Sequence, residues 1–254
     1  DVKSYATSTN ILNAHAFFEG ISSGLGFTFY YDTQGLGDKA LNAKLAYAYH
    51  TNVAKNMLLS FGVSAGVLNK SFDPNLLTLS DNSIPTVEAN SKSNLDMDLG
   101  VEFSMPVFMA GASVTHLLDN RGDEITNTTA SRQVTAYARG NIALDSKFSL
   151  APAFVYNNYT SQGLNFYEFN ATTFYNKTYW FGLGTRFDSD MSFSTLNAIV
   201  GLEWKMLRIG YGYDYSLGSL GNFKKSTHEI MLACKLAKPE CKKTSKTRFV
   251  RFME

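Results

Sequence analysis

In the stretch Leu207-Arg-Ile-Gly-Tyr-Gly-Tyr-Asp-Tyr215, residue character switches at every step. Side chains alternate across an extended strand with period two. Leu207, Ile209, Tyr211, Tyr213 and Tyr215 therefore share one face, while Arg208, Gly210, Gly212 and Asp214 share the other. The same alternation sets Leu25, Phe27, Phe29 and Tyr31 against Gly24, Gly26 and Thr28, and Leu41, Ala43, Leu45, Tyr47 and Tyr49 against Asn42, Lys44 and Ala46. It returns with Leu95, Met97, Leu99, Val101 and Phe103 against Asp96, Asp98, Gly100 and Glu102. Tyr179, Phe181, Leu183 and Phe187 lie in the same way opposite Gly182, Gly184 and Arg186. One such strand would suit a soluble sandwich. A chain-long series predicts an all-β fold, an antiparallel transmembrane β-barrel with lipid outside and polar groups inside.

Bulk hydropathy does not oppose this reading. Mean hydropathy is −0.14, and no run of about eighteen apolar residues exists to form a membrane helix. Barrel strands escape such scans because half of each strand faces a polar interior. The 14 Tyr, 19 Phe and 19 Gly with only 5 Pro suit long regular strands. At 254 residues the chain accommodates one large barrel domain.

Thirteen alternating segments are readable, at 4–18, 21–33, 39–50, 56–69, 95–104, 107–117, 131–143, 146–157, 163–174, 177–187, 193–203, 205–215 and 226–237. In 163–174 either phase leaves polar residues on both faces. Connections after the odd-numbered segments are short, whereas Lys70 to Asn94, Leu118 to Ala130 and Ser216 to Lys225 are long. Outer-membrane barrels sort their loops in this way, with short periplasmic turns and longer outer ones. Such barrels also use an even number of strands, so about fourteen are expected, with one preceding Asp1 or missing here. Asp1-Val-Lys-Ser is not a basic-then-apolar leader, which predicts a processed or truncated N-terminus.

Charge divides the chain into a barrel body, 1–237, and a basic tail, 238–254. The tail carries Lys238, Lys242, Lys243, Lys246, Arg248 and Arg251 against Glu240 and Glu254, for a net +4, leaving −3 on the rest. Nucleic acid is a poor partner, because no basic domain stands behind this terminus. Phe249, Val250, Phe252 and Met253 add apolar content. The tail reads either as a solvated end or as a segment that orders on a periplasmic partner. Cys234 and Cys241 are the only cysteines and admit a periplasmic disulfide or two free thiols.

The inward positions carry Lys44, Asp96, Asp98, Glu102, Arg139, Arg186, Glu203, Arg208, Asp214, Glu229 and Lys235. They cannot point at lipid, where an Arg or Lys costs about 2–4 kcal/mol at mid-bilayer. They form either a selectivity lining or a mutually paired filling of a narrow lumen. Arg186 or Arg208 pairing with Glu203, Asp214 or Glu229 is expected from neighbouring strands. His15, His50, His116 and His228 are scattered without metal-ligand spacing, and Ser226 with His228 lacks a third orienting group. No catalytic residue, metal or cofactor is expected.

Leu207 to Tyr215, a loop, and then Ser226-Thr-His-Glu-Ile-Met-Leu232 resemble the closing hairpin of the PorP/SprF family. Phe61-Gly-Val-Ser-Ala-Gly-Val-Leu68, Phe72-Asp-Pro, Leu77-Thr-Leu and the Cys- and Lys/Arg-containing tail resemble it too. The resemblance implies a barrel of roughly fourteen strands without catalytic residues, from the outer-membrane part of the Bacteroidota type IX secretion and gliding machinery. It further implies export or surface anchoring of a large adhesin or its C-terminal domain. Expected partners are the lipid bilayer and periplasmic ring and peptidoglycan-linked proteins. A passive porin-like diffusion channel is the alternative.

Overall fold

The structure, a computed structural model, describes residues 7–34, 38–72, 90–118, 131–217 and 226–236. These residues form one antiparallel sheet in chain order. Its strands open with β1 (Ser8–Phe18), β2 (Ser23–Gln34), β3 (Asp38–Ala54), β4 (Met57–Phe72) and β5 (Asn90–Met105). Next come β6 (Phe108–Thr115), β7 (Gln133–Gly140), β8 (Ile142–Ala143), β9 (Phe148–Tyr159) and β10 (Leu164–Tyr175). The path ends with β11 (Tyr179–Phe187), β12 (Phe193–Trp204), β13 (Leu207–Ser216) and β14 (Ser226–Cys234).

Each of the thirteen predicted segments is a strand or contains one. The fourteenth strand, β8, lies off this path, on which β7 is followed by β9; it is two residues that pair with β9 after the seventh segment breaks at Asn141. Most strands are at least as long as the nine to eleven residues a tilted crossing needs, and β3 reaches 17 residues. Tight turns join them with non-glycine residues in left-handed geometry: Asn56 at φ 63°, Asn176 at 50°, Lys177 at 56° and Lys205 at 55°. Positive φ at a hairpin tip matches the twist of the flanking strands, and asparagine tolerates it best.

Packing divides the chain into two compact units. The first comprises Asp1–His50, Ser60–Gly100 and Val114–Gln133, and the second Thr51–Leu59, Val101–Ser113 and Val134–Glu254. In the first unit, Leu25 lies opposite Tyr47 and Phe27 opposite Leu45, while Thr28 lies opposite Lys44 on the other face. Gly66 approaches β3 so closely that a Cβ would collide with Ala43 O and Lys44 Cα. Glycine is therefore required there by space.

In the second unit the register builds rows across five strands. Asn170, Gly184, Asn197, Asp214 and Thr227 stand side by side on β10 to β14. A parallel row holds Phe174, Trp180, Gly201, Gly210 and Met231. The Trp180 indole lies over the two glycines, where a Cβ on either would strike it. A bulge between Arg186 and Phe187 shifts the β11–β12 register. Beta-10, whose phase its sequence left open, turns Phe169 and Ala171 to the exposed face and Glu168, Asn170 and Thr172 to the other.

Burial is inverted relative to a water-soluble domain. Buried side chains among the described residues include Asp32, Asn42, Lys44, Ser60, Asp96, Ser104 and Thr195, against Leu58, Leu68 and Ala151 as the buried apolar set. Leu45 is 69% exposed, Leu183 66% and Ile230 78%. In water such an arrangement would expose apolar area and desolvate charge together, and both are unfavourable.

Candidate functional site

The densest polar cluster lies in the first unit, where Lys44 sits between two carboxylates. Its Nζ is 2.7 Å from Asp96 Oδ2 and donates to both oxygens of Asp98 at 2.7 Å. Period two explains the convergence: Asn42 and Lys44 share one face of β3, and Asp96 and Asp98 share one face of β5. Asn42 Nδ2 donates to Asp96 Oδ2 at 2.9 Å, and Ser64 Oγ donates to Asp98 Oδ2 at 2.6 Å. His116 closes the ring, its Nδ1 2.8 Å from Asp96 Oδ2 and its backbone N–H 3.1 Å from Asp98 Oδ1.

Asn42, Lys44 and Asp96 are buried, so each charge depends on these partners in place of water. The cluster ties β3, β4 and β5 to the chain leaving β6. The arrangement suits cross-linking of strands more than bond chemistry.

The other inward charges fall in the second unit. Tyr137 donates its hydroxyl to Glu102. Arg208 pairs with Glu203, whose other oxygen accepts from Lys235 Nζ at 3.2 Å. Arg186 donates from Nε to Glu168 Oε1 at 2.8 Å, so its hydrogen-bonded partner lies on the preceding strand instead of among Glu203, Asp214 and Glu229. Asp214 is within electrostatic reach of both Arg186 and Glu168, and Arg139 is within reach of Arg208. Glu229 is exposed on β14, opposite Gly212.

Ser64, Tyr137, Glu168 and His116 were absent from the inward set read from the sequence. Glu168 was hidden because β10 shows no clean alternation. His116 was hidden because scattered histidines carry no spacing signal. The turn at 106–107 folds the chain back so that Leu117 N–H reaches Met97 O at 2.9 Å, which delivers His116 to the two aspartates. His228 Nδ1 meets the Tyr211 hydroxyl at 2.7 Å. No group of three His, Cys, Asp or Glu is arranged for a metal among the described residues.

Cys234 ends β14 and is exposed. Cys241 and the tail residues Lys238, Lys242, Lys243, Lys246, Arg248 and Arg251 lie outside the described residues.

No helix of the described residues is long and apolar enough to cross a membrane. Each interior strand of the sheet satisfies its backbone groups on its two neighbours, which is part of what lipid requires of a spanning structure. The sequence matches the family described as type IX secretion system membrane protein PorP/SprF over residues 3–234. The chain belongs to the PorP/SprF family. It is accordingly a type IX secretion system membrane protein, and the PorP/SprF match spans every described strand. No curated protein matches the chain.

Proposed function

We propose that this PorP/SprF chain is a non-enzymatic outer-membrane β-barrel that supports export or surface anchoring of large adhesins in type IX secretion and gliding. Residues 238–254 form its periplasmic docking segment for ring or peptidoglycan-linked proteins, with the six basic side chains meeting an acidic groove. The observation that carries the reading is the inverted burial, with Lys44 and Asp96 sealed inside while Leu45 and Leu183 face outward, in a chain of this family.

The ion pairs favour a scaffold over a channel. Lys44, Arg186 and Arg208 each have an acidic partner, and a paired charge presents little net field to a permeating solute. A porin would instead pass a steady current when the purified protein is reconstituted in a planar bilayer.

Deletion of the gene should remove the adhesin from the cell surface and leave nutrient uptake unchanged. Deletion of residues 238–254 should leave a heat-modifiable barrel that no longer co-purifies with the periplasmic ring. Unchanged surface adhesin in the deletion strain would overturn the secretion role, and unchanged co-purification would overturn the docking role.

A further inference from the structure

At the β9–β10 hairpin the polar face carries a half-open recess of about 330 Å³. Its wall combines two kinds of surface. Tyr159 and Phe166 meet edge to face with ring centroids 5.9 Å apart, and Leu164 lies beside them. Arg186 and Glu168 supply the opposite character.

The Arg186–Glu168 pair is only partly used. Nε donates to Oε1 at 2.8 Å, and neither Arg186 Nη nor Glu168 Oε2 makes a hydrogen bond among the described residues. The Arg186 side chain is 37% exposed and that of Glu168 19%, so the pair faces the opening. A guanidinium is a planar fork of donors, and a carboxylate is a planar acceptor.

The ligand class follows from what satisfies both ends at once. A purely apolar ligand would strip water from Arg186 and Glu168 and return no hydrogen bond. A simple anion would suit Arg186 but be repelled by Glu168 and by Asp214, which lies within electrostatic reach of both, and a cation would be repelled by Arg186. A neutral polyol donates and accepts at each hydroxyl, so adjacent hydroxyls answer both groups. A ring-shaped polyol also has a C–H face for the aromatic side chains. A peptide is disfavoured because β10 is already paired along both edges, with β9 and with β11, and offers no backbone for strand addition.

We propose that this recess binds a neutral pyranose ring, its C–H face against one of the perpendicular rings of Tyr159 and Phe166 and its edge against the other, with adjacent hydroxyls bridging Arg186 and Glu168. A site that hydrogen-bonds hydroxyls discriminates strongly against analogues lacking them. Binding of this kind is separable from the secretion role, because it is read on the purified chain alone.

The test uses the full chain in lauryldimethylamine oxide, a detergent without sugar. Methyl glucoside, methyl galactoside, methyl mannoside and N,N′-diacetylchitobiose are offered separately in saturation-transfer NMR. At least one should receive saturation. Tyr159→Ala should abolish the signal, and Glu168→Gln should weaken binding by about tenfold. Phe166→Leu keeps apolar volume while removing a ring, so it reports on stacking should Tyr159→Ala fail to fold. Absence of transfer to all four probes up to their solubility limits would overturn the proposal. So would transfer unchanged in the variants, or displacement of the sugar by a short aromatic peptide at lower concentration.

Discussion

Asn197 donates its side-chain amide to Asn170 Oδ1 at 3.2 Å, and the two side chains meet above Gly184 on the strand between them. The contact exists because the middle strand has no side chain at that position. A Cβ on Gly184 would fall inside contact distance of both amide oxygens.

Gly184→Ala should therefore break this amide pair and destabilise the protein by about 1–3 kcal/mol, as overpacking does. Gly66→Ala should be worse, since the obstacles there are Ala43 O and Lys44 Cα of the backbone. Gly62→Ala should be nearly neutral, because its nearest neighbour is Tyr47 O at 3.9 Å. Urea midpoints of the three variants, followed by the gel shift between folded and heated forms, give the ranking.

Leu183 and Arg186 point to opposite faces of β11. Leu183→Arg places a cation against lipid at about 2–4 kcal/mol and should prevent membrane assembly. Arg186→Leu should still assemble, with Glu168 left without its hydrogen-bonded partner. Membrane fractionation of the two variants is the measurement, and equal tolerance would reverse the face assigned to this strand.

Lys44→Met leaves Asp96 and Asp98 facing each other without their cation. Removing one partner of a buried ion pair costs about 3–5 kcal/mol. Adding Asp98→Asn to Lys44→Met should recover part of that loss, because it deletes one of the two carboxylate charges that Lys44 no longer offsets. Denaturant unfolding of the single and double variants gives the coupling.

Glu203 separates two kinds of charge contact. Its Lys235 partner is 62% exposed, while Arg208 is 26% exposed. Lys235→Ala should change stability by less than about 1 kcal/mol, and the change should shrink further in salt. Arg208→Ala should cost more and respond less to salt, which a two-salt urea titration resolves.

Strand existence was legible wherever one face was apolar, as in β3, β5, β11 and β13. The local pattern is a direct record of which side meets lipid. Beta-10 was legible as a strand but not in phase: Asn165 and Thr173 lie in the same phase as Phe169, so polarity does not separate its faces. The charges of the site were legible as inward, but their pairings were not. Which carboxylate meets Arg186 depends on register, and only the β10–β11 pairing sets Glu168 directly opposite it. The Lys44 cluster joins residues 54 positions apart in the chain, a separation on which local alternation carries no information.

The indole of Trp180 roofs two bare stretches of backbone, at Gly201 and Gly210. Three positions on three strands thus share one packing space. A relative that gains a methyl at either glycine must shrink the ring at 180, and one that loses the ring leaves a hollow that larger residues at 201 and 210 would fill. Substitutions at these sites should travel together through the lineage, in opposite directions of size.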